Sequence, residues 1–195
     1  SNISYIKNNI EKNNVIGFDA GSGMCLIDQC SFYFWKENLD YNGKFSKKGT
    51  INKKLLEKLM LHPFINKKYP KSASVENFNI KLVLDNINKK ISVYDIIRTM
   101  VAFTAESIVY NINKYIKFDC KTNLVIIGGG IHHDLLLEDI KRKIDLKKID
   151  LLKEKKIHPD YKEAFLISVL AVANKNNLPA NMKSVTGCKN NVILG

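Results

Sequence analysis

VIGFDAGSGMCLID, residues 15–28, decides how this chain reads. An apolar run, Val15-Ile16-Gly17-Phe18, delivers a carboxylate, Asp19, into Ala20-Gly21-Ser22-Gly23, and a helix-like apolar segment follows at once. A plain hairpin needs turn residues but not the acid. A phosphate-handling site uses both, because glycine lets backbone N–H groups approach phosphate oxygens and a strand-end carboxylate can accept a proton.

Working outward, Asn2 to Ile6 reads as a strand that starts abruptly with no leader, and 10–14 as the polar turn before a second strand over Val15 to Phe18. Leu26, Ile27, Cys30 and Phe34 recur at helical spacing as far as Trp35. Asp40-Tyr41-Asn42-Gly43 is a turn. Thr50 is the expected N-cap of a short helix carrying Leu55, Leu56, Leu59 and Met60, which Pro63 should end. Residues 62–79, with two prolines and many polar groups, are expected to be a long loop. Ser92 caps the strongest helix pattern, running from Val93 to Ile112. Leu124 to Ile127 is a short apolar strand entering Gly128-Gly129-Gly130; Asp134 to Ile144 is an amphipathic helix and Ile149 to Leu152 a further strand. Asp160 should cap a last helix through Ala173, with Glu163 completing a capping-box-like start, and 178–195 is an irregular tail. Helices alternating with short buried strands make this an α/β chain, without internal repeat or domain boundary.

The composition narrows the class. A length of 195 residues, 45% hydrophobic, suits one compact domain or one lobe. No apolar stretch reaches membrane-spanning length, so no membrane partner is expected. SNISYIKNN is too polar for a secretory signal, and Cys25, Cys30, Cys120 and Cys188 lack CxxC spacing, which points to a reduced, cytoplasmic protein without a zinc site. The net charge of +12 raises the question of nucleic acid. The lysine pairs (Lys47-Lys48, Lys53-Lys54, Lys67-Lys68, Lys89-Lys90, Lys147-Lys148, Lys155-Lys156) are scattered among Asn and Ile, with no arginine-rich or aromatic stripe. An AT-rich genome would produce the same bias, and no nucleic-acid partner is expected.

Neither glycine site is specific alone, since each would serve as an ordinary turn. Their order is more informative: an acid–glycine turn early, a strand running into GlyGlyGly late, and a long helix between. That order resembles one lobe of the actin-like, ribonuclease H-like ATPase superfamily. Within it the chain resembles the C-terminal lobe of the anhydro-N-acetylmuramic acid kinase family over essentially its whole length. SNISYI resembles the latter part of the family's GGIAN-type strand, and GFDAGSGMCLID its GFDTGPGN-x-LID block. Asp40, Gly43 and Gly49 fit a D-x-x-G…G segment; Tyr69-Pro70-Lys71-Ser72, Glu76 and Phe78 fit PKSTGRE-x-F. Asp95, Thr99 and Phe103 to Ile108 resemble the central helix, IIGGGIHH the GGG-x-HN turn, and KEAFLISVLA with Leu178 to Asn181 and Val185-Thr186-Gly187 the family's end.

The resemblance implies a mixed β-sheet with flanking helices and an activity in peptidoglycan recycling. Water opens the 1,6-anhydro bridge of the sugar, and the freed O6 takes the γ-phosphate of ATP, with Mg2+ as cofactor, giving N-acetylmuramic acid 6-phosphate. Asp19 falls on the catalytic base. Gly21 and Gly23 would approach the phosphates, and Gly128, Gly129 and Gly130 would border the adenosine. Glu163, Lys71 and Ser72 fall on positions near the sugar, although a helix dipole favours a first-turn glutamate anyway and an exposed loop lysine would look the same.

Departures are local and global. Ala20, Ser22 and Met24 replace a threonine, a proline and an asparagine; Val75 stands for an arginine and His133 for an asparagine, and a His132-His133 pair alone is not expected to bind metal. The family's N-terminal lobe, with its GTMSGTS-type phosphate loop, has no counterpart. Three readings follow: a kinase lobe that needs an N-terminal lobe in cis or in trans; a decayed, non-catalytic lobe that binds nucleotide or a partner; and a basic protein that binds nucleic acid or an anionic surface. The first is the expectation. An unpaired lobe would expose apolar cleft surface, so self-association, including a homodimer, is also expected.

Overall fold

The computed structural model describes residues 1–7, 15–88, 90–118, 122–144, 150–152 and 161–194. The two strands read at the start form an antiparallel pair, β1 (Asn2–Ile6) and β2 (Val15–Asp19), with Asn2 opposite Asp19 and Ile6 opposite Val15. The turn expected over 10–14 lies outside the described residues. Helix α1 (Cys25–Trp35) follows the glycine turn and buries Leu26, Ile27 and Cys30, the spacing the sequence displays.

The next segment departs from expectation. Helix α2 (Lys53–Met60) is capped by Asn52, whose Oδ1 accepts from Leu55 N–H at 3.0 Å. Thr50 does not cap it: its N–H and Oγ1 donate to Asp95 Oδ1 at 2.6 and 3.1 Å. Pro63 does not end α2 either, but sits at the first position of α3 (Pro63–Asn66), where its missing N–H costs nothing. The long loop expected over 62–79 therefore begins as a helical turn. It is followed by α4 (Ile80–Asn86), a helix the sequence reading omitted, with Asn79 Oδ1 accepting from Leu82 N–H at 3.2 Å.

Helix α5 (Val93–Tyr115) is the spine of the chain, started by Ser92, whose Oγ accepts from Tyr94 N–H at 3.3 Å. It is buried on most of its circumference, with Ile97, Met100, Val101 and Phe103 fully enclosed, and it packs against α1, α2 and α6 (Asp134–Lys143). Two devices seat it. Gly49 lets the chain touch the α5 backbone, since a Cβ there would lie 2.1 Å from Tyr94 O. Arg98 makes a buried bidentate pair with Asp139 of α6, Nη1 to Oδ2 at 2.7 Å and Nη2 to Oδ1 at 3.0 Å.

The expected strand at 124–127 is β3 (Asn123–Val125), paired in parallel with β4 (Asp150–Leu152). The expected single mixed sheet is not formed among the described residues, whose strands make two separate two-stranded pairs, one antiparallel and one parallel; the chain is α/β with little sheet. Helix α7 (Lys162–Lys175) lies beyond them, and Asp160, its expected cap, is outside the described residues. Phe165, Ile167 and Val172 on α7 are 53%, 64% and 62% exposed. The tail is not wholly irregular. It contains α8 (Lys183–Thr186), and a Cβ on Gly17 would lie 2.6 Å from Val185 Cγ1, so β2 needs glycine there to receive that helix.

Candidate functional site

Asp19 is the last residue of β2, and the Pro70–Ala73 segment holds it from the side. Asp19 N–H donates to Lys71 O at 3.0 Å. Ala73 N–H and Ser72 Oγ both donate to Asp19 Oδ2, at 2.7 and 3.2 Å. One carboxylate oxygen is thereby fixed, while the group remains partly exposed. It lines an open cleft of about 420 Å³ with Asn2, Gly17, Pro70, Ser72 and Thr186. A carboxylate held through one oxygen at the wall of a cleft is suited to taking a proton with the other.

The residues after Asp19 turn tightly against α5. Gly21 is buried there, and a Cβ would lie 2.5 Å from Ser107 Oγ, so this glycine serves close packing. Gly23 adopts φ +59, the left-handed conformation glycine tolerates. Thr104 of α5 donates its Oγ1 to Gly23 O at 2.8 Å and pairs with Ser22 Oγ at 3.2 Å. Ser22, where the resembling family has proline, thus fastens the turn by a side-chain bond. Met24 has the opposite effect. It stands at the N-cap of α1 without a side-chain acceptor, so the first N–H groups of α1 gain no side-chain cap.

GlyGlyGly comes to the same place. Gly128 adopts φ +86, and a Cβ on Gly128 or Gly129 would meet nothing within 4 Å. Gly129–His132 then form a single 3₁₀ turn. A cavity of about 380 Å³ is lined on one side by Ser22, Gly23 and Met24, and on the other by Gly129 and Gly130. Its floor is apolar, supplied by Ile108, Ile112, Leu124, Leu136 and Ile140. Two glycine segments about a hundred residues apart in the sequence therefore face one apolar cavity, with backbone left uncrowded at Gly129 but closely approached by Ser1 at Gly23.

His133 explains how the second glycine segment is held. Its Nδ1 accepts from Leu136 N–H at 3.2 Å and caps α6, the work the resembling family's asparagine is chemically equipped to do. With Nδ1 accepting, Nε2 carries the proton toward Asp40 Oδ2 at 3.2 Å. Asp40 also accepts from Phe45 N–H at 2.7 Å and Ser46 N–H at 3.3 Å. Burial raises its carboxyl pKa, but hydrogen bonds from His133, Phe45 and Ser46 outweigh that and hold it below its ordinary value. Asp40 therefore joins the D-x-x-G segment to the GGG turn.

Lys71 is not an exposed loop lysine. It is 5% exposed, and its Nζ donates to Phe64 O, Ile65 O and Asn111 Oδ1 at 3.1, 3.0 and 2.9 Å. Those acceptors use all three of its protons. Glu163 is exposed on the first turn of α7 and lines neither cavity. Asn111, fully buried on α5, was not singled out by sequence, because one polar residue in an apolar helix carries no periodic signal.

The comparisons agree over the full chain. The family model for anhydro-N-acetylmuramic acid kinase matches residues 1–195. An anhydro-N-acetylmuramic acid kinase of Clostridioides difficile is 34% identical over 199 aligned residues, which take in 100% of this chain and 51% of that protein. Proteins of the same name from Bacillus cereus and Haemophilus influenzae are 32% and 34% identical, covering 100% and 93% of this chain and 52% and 50% of their own lengths. The chain spans about half the length of the curated relatives it matches. On the match along all 195 residues, this chain belongs to the anhydro-N-acetylmuramic acid kinase family.

Proposed function

We propose that this chain is the base-bearing, nucleotide-facing half of an ATP-dependent kinase of 1,6-anhydro-N-acetylmuramic acid, acting in the cytoplasm on recycled cell-wall sugar. Asp19 takes a proton from water; the water oxygen bonds to C1 as the C1–O6 bond breaks; O6 attacks the γ-phosphorus and ADP leaves. The observation that carries this reading is the hold on Asp19, one oxygen fixed by Ser72 and Ala73 and the group set in the wall of an open cleft. The turn that follows Asp19 leads into the apolar cavity rimmed by Gly23, Gly129 and Gly130, which suits an adenosine. Gly21 supports the phosphate side from within by seating the turn on α5, and Gly128 supplies the bend that opens the second rim.

Among the described residues no group of three His, Cys, Asp or Glu side chains could hold a metal, and Asp19 is the one carboxylate lining either cavity. That donor set fits a magnesium ion that arrives with the nucleotide and keeps phosphate and water ligands. Bound there, magnesium would neutralise phosphate charge. Ser72 contributes through Asp19, whereas a direct role for Glu163 at the sugar would require α7 to lie closer to the cleft. The actin-like lobe, the opposing N-terminal half in cis or in trans, and a homodimer through exposed apolar surface belong to the same proposal.

The test is ADP release with ATP and the anhydro sugar, by the chain alone and mixed with an N-terminal half built from a relative. Turnover in the mixture, lost by about 100-fold or more in Asp19→Asn, is expected. Near-normal turnover in Asp19→Asn would remove the base role. No turnover in either preparation, both halves being folded, would leave a non-catalytic lobe, in keeping with the uncapped α1 at Met24.

A further inference from the structure

We propose that Asn111 is a positioning residue for Asp19, tying the main chain beyond the acid to the segment that grips it; the catalytic meaning of this rests on the kinase reading above. Its side-chain amide works in both directions. Nδ2 donates to Ala20 O at 3.2 Å and to Ser107 O at 2.8 Å. Oδ1 accepts from Lys71 Nζ at 2.9 Å. Ala20 is the residue directly after Asp19. Lys71 is the residue whose carbonyl receives Asp19 N–H, and Ser72 and Ala73, next along, hold the carboxylate. The two chain segments that determine where Asp19 Oδ2 lies therefore meet at one fully buried amide.

Lys71 gives this bridge its stiffness. Its other two protons go to Phe64 O and Ile65 O of α3, and its ammonium lies 5.0 and 5.8 Å from the ring centres of Phe64 and Phe18. Lys71 borders the Asp19 cleft, but its ammonium is committed to these three acceptors, and its family position near the sugar is served through Asp19. Burying an ammonium is costly, and burial lowers the Lys71 pKa to about 8, with Lys114 adding to the fall and Asp19 opposing it. A leucine at position 111 would satisfy the packing of α5 while leaving Ala20 O and one Lys71 proton unpaired. The polar choice is explained by the geometry of the turn rather than by the core.

Two variants separate positioning from packing. Asn111→Leu removes both bonds, and Asn111→Asp keeps the acceptor for Lys71 while losing the donor to Ala20 O. In whichever preparation turns over, kcat is expected to fall about 10- to 100-fold in both, with KM for ATP and sugar held within about twofold. Asn111→Leu combined with Lys71→Met should be no slower than the slower single variant, because one bridge is lost once. An independent reading comes from the Ala73 amide proton in the ¹⁵N-labelled chain, which the Asp19 carboxylate shifts downfield and which should move upfield in both variants. Should Asn111→Leu not fold, Asn111→Asp carries the test. Unchanged kcat in a folded variant, or an Ala73 amide that does not move, overturns the proposal. If the wild type proves inactive on the sugar, the kinase reading fails and the Ala73 amide still decides whether Asn111 positions Asp19.

Discussion

Asp28 provides a quantitative test of the electrostatics around the Asp40–His133 pair. It lies in the first turn of α1, and its Oδ1 is buried without a hydrogen-bond partner among the described residues. Burial pushes its carboxyl from 3.8 up to about 6; His133 opposes the rise and Asp40 adds to it. Between those values the unfolded chain has released the Asp28 proton and the folded chain keeps it, so stability falls as pH rises through that window. Above pH 6 both states are ionised and the whole penalty is present. At roughly 1.36 kcal/mol per pH unit the shift corresponds to about 3 kcal/mol, which partial exposure to solvent reduces to about 1–2 kcal/mol. Asp28→Asn removes the charge and should recover that amount at pH 7.5. For a chain of this size it appears as a Tm gain of roughly 3–6 °C, shrinking to near zero at about pH 4. Thermal unfolding followed by circular dichroism at the two pH values measures both. A gain of equal size at both pH values would mean the effect is not ionisation. A lower Tm at pH 7.5 would mean that the carboxylate is paired and the reasoning is wrong.

Two further outcomes bear on the frame that carries the site. Arg98→Met leaves Asp139, among the described residues, with Arg142 Nη2 at 3.2 Å, and a loss of about 3 kcal/mol is expected as a lower urea midpoint; Arg98→Met with Asp139→Leu should regain most of it. A single variant as stable as the double would show that the pair does not hold α5 to α6. Gly49→Ala places a Cβ 2.1 Å from Tyr94 O and should lower stability by about 2 kcal/mol, and an unchanged Tm would mean the contact relaxes freely.

Much of the local structure is legible without coordinates, because it depends on neighbours in sequence. Ser92 before an apolar-periodic run starts α5, Asp134 to Lys143 is a helix by its spacing, and an apolar run ending on Asp19 is a strand. Errors arise where two local signals compete. Thr50 and Asn52 are both capping residues, and Thr50 is drawn off by Asp95 on α5, a partner 45 positions away. Pro63 can stop a helix or start one, and packing of Phe64 and Ile65 in the core selects the start. Helix α4 was hidden because its short, two-turn pattern follows a polar, proline-containing stretch that suggests a loop.

The candidate site divides the same way. Asp19 and the glycines announce themselves by type and order: a carboxylate at the end of an apolar run has few structural uses, and closely spaced glycines mark turns. What Ser72, Lys71, Asn111, Asp40 and His133 do at the site is invisible in the sequence, since each has a partner 40 or more residues away beside any local one. A lysine after a proline looks like a surface residue until three acceptors are found closing around it. The sequence by itself determined the strand-end acid, the glycine turn after it and helices α1, α2, α5, α6 and α7, because these follow from residue type and period. Only the tertiary structure decided that the two glycine segments share one cavity and that Asp19 is held through one oxygen, because those facts depend on how α5 brings distant parts of the chain together.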